Sequence, residues 1–147
     1  MESYMAESLH GEALRALTMF DHVPVGCILQ LVVDDDSAPH LRAGEFAIVD
    51  TTDTEPQHGE VFLVRWSNGR TSIQQLLARS HTYDGRSFVG FWTCCLNFEP
   101  YRPGKTRPGL VTEISHRSMA DGPRTADVIQ RSLIGRVIGF YSASRAN

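Results

Sequence analysis

Few of the residues that could do chemistry stand at a functional spacing in this chain. The six histidines include no pair at metal-ligand spacing, and none forms a ligand pattern with the adjacent cysteines Cys94 and Cys95. Asp34–Asp36 brings three carboxylates together, which can hold a cation, although a solvated acidic turn is the simpler interpretation. No glycine-rich phosphate-binding loop occurs. The sequence therefore predicts no metal site and no cofactor.

The composition is that of a globular domain and favours neither a nucleic-acid nor a membrane partner. Hydrophobic residues make up 41% of the 147 residues, which is enough for one core. The net charge of -3 gives no bulk attraction to nucleic acid or to an anionic membrane. Residues 1–20 carry three glutamates and no long apolar run, so we expect neither a signal peptide nor a membrane anchor. Three irregularly spaced cysteines argue against a disulfide framework, and we expect a cytoplasmic location.

The elements that must position any functional side chain are mostly strands. Apolar spacing predicts one helix over residues 4–19, which is a candidate partner or dimer surface, and a shorter helix over 124–131. Turn signals separate the strands, including Ser67-Asn68-Gly69 and Tyr83-Asp84-Gly85-Arg86. We predict a helical segment over 1–21, a single mainly β domain over 22–143 and a tail over 144–147. Strands are expected at Val25–Val33, Phe46–Val49, Glu60–Trp66, Arg70–Leu77, Ser87–Cys95 and Ser132–Tyr141.

Three segments, taken in order along the chain, resemble parts of one protein superfamily. Asp36–Glu45, followed by Phe46–Asp50, resembles Ser-Met-x-Pro-x-Leu-x-x-Gly-Asp and the apolar strand after it. His58–Trp66, a hairpin and Thr71–Leu76 resemble a strand-turn-strand unit that ends in Val-Lys-Arg-Leu. Leu133–Tyr141 resembles the family's last strand, apolar-Ile-Gly-Arg-Val-apolar-Gly. In this order and spacing the three segments resemble LexA-like repressors, phage repressor C-terminal domains and signal peptidases. The resemblance implies a β-rich α+β fold of the LexA and signal-peptidase type, with an N-terminal helix.

The family's chemistry uses a serine nucleophile and a neutral lysine as its base. In this chain the serine position aligns with Asp36, the next position holds Ser37, and the lysine position holds Gln74. Glutamine cannot act as a general base. The chain's single lysine, Lys105, lies in a Pro- and Gly-rich loop. The resemblance therefore implies a catalytically degenerate cleft, lined by Asp36, Ser37, Pro39 and Gln74.

One arrangement would keep catalysis. If the loop is shifted by one residue, Ser37 becomes the nucleophile, with His40 or Asp36 as the candidate base. The chain lacks the Ala-Gly or Cys-Gly pair that self-cleaving members carry before the nucleophile. One predicted helix near the start is too little for a helix-turn-helix DNA reader, so we expect no direct DNA binding.

These observations predict a non-catalytic module that dimerises or binds a protein or peptide. The expected setting is bacterial or phage transcriptional regulation, with a homodimer and a partner such as a transcription regulator. The first alternative is a serine peptidase or self-cleaving protein with an altered dyad that uses Ser37. A second alternative is an unrelated small β-barrel that binds a small molecule.

Overall fold

A computed structural model describes residues 17–98 and 119–142. Strands account for 51% of these residues and helix for 5%, which confirms the prediction of a mainly β fold. One short helix, α1, covers Ala126–Gln130. The strands are β1 Thr18–Phe20, β2 Cys27–Leu31, β3 Phe46–Asp50, β4 Val61–Arg65, β5 Thr71–Tyr83, β6 Arg86–Cys94, β7 Ala120–Arg124 and β8 Leu133–Tyr141.

The strands form one curled sheet in the order β2-β3-β8-β4-β5-β6-β7. Every neighbouring pair along this order is antiparallel, and β1 joins β8 as a parallel partner. Strands β2 and β7 therefore form the two edges of the sheet. Because the sheet curls, residues at both edges reach the same cavity, described below.

The core lies on both faces of β4. Val61 and Leu63 belong to one buried apolar cluster, whereas Phe62 and Val64 belong to a second cluster that includes Ile129 of α1. Successive side chains of a strand point to opposite faces, so a strand covered on both sides has a continuous apolar sequence. This explains the run Val61–Val64, in which every side chain is buried.

Two glycines of β8 allow other backbone segments to approach this strand closely. A Cβ at Gly139 would collide with the backbone oxygen of Thr18 in β1, and a Cβ at Gly135 would collide with the backbone oxygen of Asp50. The Gly-x-x-x-Gly spacing of β8 therefore has a packing role in this fold.

The structure confirms the six predicted strands with boundary shifts of a few residues, and it extends the fifth of the eight strands to Tyr83. The helix predicted over residues 4–19 is wrong at its end, because residues 18–20 form a strand of the main sheet. Residues 18–20 therefore belong to the β domain and not to the predicted helical segment 1–21. Residues 4–16 and 144–147 lie outside the described residues.

Candidate functional site

A cavity with a volume of about 570 Å³ lies at the open side of the curled sheet. Its walls come from both sheet edges, through Gln30–Asp34 at one and Met119–Asp121 at the other. Thr71–Gln74 at the start of β5 forms a third wall, and Leu63 of the core contributes an apolar surface. This size falls within the range of about 300–1,000 Å³ that is common for specific ligand pockets.

The structure brings three of the four predicted cleft residues together. Asp36, Ser37 and Gln74 all line this cavity, although Gln74 is distant in sequence from the other two. Pro39, the fourth predicted cleft residue, is exposed and is not one of the residues that line this cavity. His40, the candidate base, does not line the cavity either.

Hydrogen bonds to its own backbone fold the acidic loop that carries Asp36 and Ser37. The side chain of Asp34 accepts the backbone N–H of Asp36 at 3.0 Å, and that of Asp35 accepts the N–H of Ala43 at 3.0 Å. Short polar side chains commonly stabilise turns in this way. Leu41, which is fully buried, anchors the loop in the core. The acidic run thus has a structural role, and two of its three residues, Asp34 and Asp36, line the cavity.

The Ser72 hydroxyl organises the β5 wall. It accepts the indole N–H of Trp66 at 2.7 Å and the side-chain N–H of Gln74 at 3.3 Å. Ser72 and Gln74 lie two residues apart and therefore share one face of the strand. Both the indole and the amide are held by one oxygen, so this wall is positioned before any ligand arrives.

Ser37 occupies an unusual position for a hydroxyl group. The residue is 5% exposed and lines the cavity. Its backbone oxygen accepts the N–H groups of His40 and Leu41, but its hydroxyl makes no hydrogen bond to any described residue. An activated serine nucleophile requires a base within hydrogen-bonding reach. The described residues thus give Ser37 no base in contact, whereas a ligand in the cavity can bond to it.

The β7 rim holds a charged pair beside an aromatic ring. Arg124 donates to the Asp121 carboxylate at 2.8 Å, and its guanidinium lies 5.6 Å from the centroid of the Trp66 ring. Asp121 and Trp66 line the cavity, whereas Arg124 does not. A guanidinium is attracted to the face of an indole ring and to a carboxylate at the same time. This rim therefore already holds one guanidinium in a defined geometry.

Of the two adjacent cysteines, Cys94 is suited to packing and not to nucleophilic chemistry. Burial raises the pKa of the Cys94 thiol to about 12, so it stays protonated at neutral pH. Cys95 lines the cavity, and its Sγ lies 2.9 Å from Oδ1 of Asn97. Among the described residues, no group of three or more His, Cys, Asp or Glu side chains is placed to hold a metal ion.

Sequence reasoning missed one wall of this cavity. Met119–Asp121 belongs to a segment in which the sequence analysis predicts no strand. The sequence Ala120–Arg124 contains Gly122 and Pro123, which are both poor strand formers. An edge strand tolerates them, because one side of its backbone needs no ladder partner. For the β5 wall the sequence did carry a signal. Ser72 and Gln74 lie two residues apart in a predicted strand, which places both polar side chains on the same face.

Comparison with family models, with curated proteins and with solved structures finds no match for this chain. No helix in the described part of the chain has the length and hydropathy needed to cross a membrane.

Proposed function

We propose that this chain is a non-catalytic module whose cavity binds an extended peptide strand and does not cut it. The observation that carries this proposal is the position of the cavity between the two sheet edges, β2 and β7. Consecutive residues of each edge segment line the cavity. Because side chains alternate along a strand, a run of consecutive lining residues means that the backbone of the segment also borders the cavity. Peptides commonly bind proteins by adding a strand to such an edge, with pockets for alternate side chains.

The sequence of β2 also supports strand addition. Its residues, Cys27–Leu31, include no charged residue and no proline, although edge strands usually carry one or the other to prevent pairing. Ile28, Leu29 and Leu31 are exposed. A peptide that pairs with β2 would cover these apolar side chains and use the backbone groups of the edge that pair with no described strand.

The described lining of the cavity includes no lysine that could serve as the base of a Ser-Lys peptidase. Gln74 stands where the resemblance requires a lysine, and its amide binds Ser72. Ser37 contacts no base among the described residues. We therefore extend the proposal to a regulatory role in bacterial or phage transcription, in which the domain dimerises or holds a segment of a regulator.

The direct test is calorimetric titration with a capped hexapeptide of alternating valine and serine, a neutral strand former. We expect saturable binding with one site per chain. The variant Thr71→Trp places an indole at the cavity wall and should weaken binding by about tenfold or more, the equivalent of about 1.4 kcal/mol.

Thr82→Trp is the matched control for this titration. Thr82 lies on the same strand, is also exposed, and does not line the cavity. Equal binding by both tryptophan variants would place the peptide elsewhere, and an absence of binding by the parent protein would refute the proposal. Mass spectrometry of the recovered peptide should show it intact.

The peptidase alternative has its own test. A serine-directed fluorophosphonate probe at alkaline pH should leave Ser37 unlabelled, because no described residue is placed to accept its proton. Labelling that disappears in the Ser37→Ala variant would contradict the binding-module proposal and support a hydrolase.

A further inference from the structure

The charge of the cavity lining has one sign. Three aspartates, Asp34, Asp36 and Asp121, line the cavity, and its described lining includes no lysine, arginine or histidine. The chain as a whole has 14 basic and 17 acidic residues, so the excess at the cavity is local and does not reflect a general lack of cations. A neutral or acidic ligand would gain nothing from this arrangement.

The polar atoms at the cavity are mainly hydrogen-bond acceptors. Carboxylates accept and do not donate, and the side-chain oxygen of Gln74 makes no hydrogen bond to any described residue. The strongest nearby donor, the indole N–H of Trp66, is already bound to Ser72. A ligand group with several donors and no acceptor fits this lining, and the arginine guanidinium is the side chain with that property.

A second observation, independent of the charge, favours a polar ligand in the cavity. Ser37 is 5% exposed and lines the cavity, yet its hydroxyl has no hydrogen-bond partner in the described part of the chain. The hydroxyl oxygen itself is not fully buried, so a ligand in the cavity can reach it and bond to it. Backbone groups of an extended peptide supply such a partner.

The protein itself shows how this rim holds a guanidinium. Arg124 binds the carboxylate of Asp121 and lies over the ring of Trp66, and both of these partners face the cavity. Arg124 also partly offsets the charge of Asp121. It therefore competes with any cationic ligand for the same carboxylate and ring.

We propose that the peptide strand bound in this cavity carries arginine side chains, which the acidic rim recognises. This inference rests on the proposed peptide-binding function and names its ligand class. In a strand, alternate side chains point the same way, so arginines two residues apart can reach the same rim. The partner is thus a basic, extended segment of another protein.

The test compares three capped hexapeptides in which valine alternates with arginine, serine or glutamate. At low salt, the arginine peptide should bind at least about threefold more tightly than the serine peptide, and the glutamate peptide should bind more weakly. The difference in affinity between the arginine and serine peptides should decrease as the salt concentration rises from about 0.05 M to about 1 M, because the screening length shortens.

The variant Asp34→Asn keeps an oxygen that can accept the N–H of Asp36. It should weaken binding of the arginine peptide by about two- to fivefold. The double variant Asp34→Asn with Asp36→Asn should weaken binding of the arginine peptide further.

A substitution at Arg124 should change the affinity for the arginine peptide in the opposite direction. Arg124→Gln removes the internal competitor and should strengthen binding of the arginine peptide by about two- to fivefold, with little effect on the serine peptide. Asp84→Asn and Arg86→Gln are the matched controls, since both residues lie at the β5–β6 turn and neither lines the cavity. These controls should leave all three affinities unchanged.

The outcomes separate the two proposals. Equal binding of the arginine and serine peptides, unaffected by Asp34→Asn, would overturn the basic-ligand inference and leave the peptide-binding function standing. If none of the three peptides binds, both proposals fail. Tighter binding of the arginine peptide that depends on Asp34 and is enhanced by Arg124→Gln supports the inference.

Discussion

Replacing Ser72 with alanine tests whether the β5 wall of the cavity is held in place before ligand binds. The substitution removes the oxygen that accepts the Trp66 indole N–H at 2.7 Å and the Gln74 amide N–H at 3.3 Å. A half-buried indole N–H that loses its partner destabilises a fold by about 1 kcal/mol. The amide bond is longer and Gln74 is partly accessible to water, so its loss should add little. We therefore expect the free energy of unfolding to fall by about 1 kcal/mol.

The assay is urea unfolding followed by circular dichroism, because tryptophan fluorescence would itself change. Ser80→Ala is the matched control, since Ser80 lies on the same strand, is exposed and has no side-chain hydrogen bond among those described. It should alter stability by less than about 0.5 kcal/mol. A double-mutant cycle with Trp66→Phe isolates the indole–hydroxyl pair and should give a coupling of about 0.5–1.5 kcal/mol. Additive effects, or equal effects of Ser72→Ala and Ser80→Ala, would refute a preorganised wall.

Three further predictions concern the core and the packing of β1. Cys94, whose thiol has a pKa of about 12 because of burial, should be alkylated at pH 9 only after unfolding, and labelling of the native protein would contradict the structure. The unfolded thiol ionises near its ordinary value of 9.0, so the contribution of Cys94 to stability should be complete below pH 9 and lost as the pH rises towards about 12. Cys94→Ala should flatten this part of the pH dependence of the unfolding free energy. Gly139→Ala should destabilise the fold by about 1–3 kcal/mol and speed hydrogen exchange in β1, because the new Cβ collides with the Thr18 backbone oxygen. Unchanged stability and exchange would show that β1 does not pack there.

Much of the fold could be predicted from the sequence because its strands carry local signals. The Asp84-Gly85 turn is typical of a hairpin, and both residues have positive φ as that turn requires. The buried run Val61–Val64 marks a central strand. By contrast, β7 and β1 lack such signals. The Gly-Pro sequence of β7 disfavours a strand, and β1 depends on a glycine of β8 that is more than one hundred residues away in sequence.

The candidate site could be predicted in part. Aligning three segments placed Asp36, Ser37 and Gln74 in one cleft, and the fold brings these residues to one cavity because the loop after β2 and the start of β5 lie at the same side of the curled sheet. The indole of Trp66 and the carboxylate of Asp121 could not be assigned in this way. Their roles depend on hydrogen bonds and on the curl of the sheet, which bring distant segments together. Pro39 lies in the same loop but is exposed and does not line the cavity, which the alignment of segments could not show.

The central claim is that a peptide binds between the two sheet edges and is not cut. The most direct measurement is a backbone amide chemical-shift map during titration with the neutral valine–serine hexapeptide, followed by mass spectrometry of that peptide. The account predicts shifts concentrated at Gln30–Asp34 and Met119–Asp121, with the peptide recovered intact. Shifts confined to other surfaces, no shifts at all, or a cleaved peptide would contradict it.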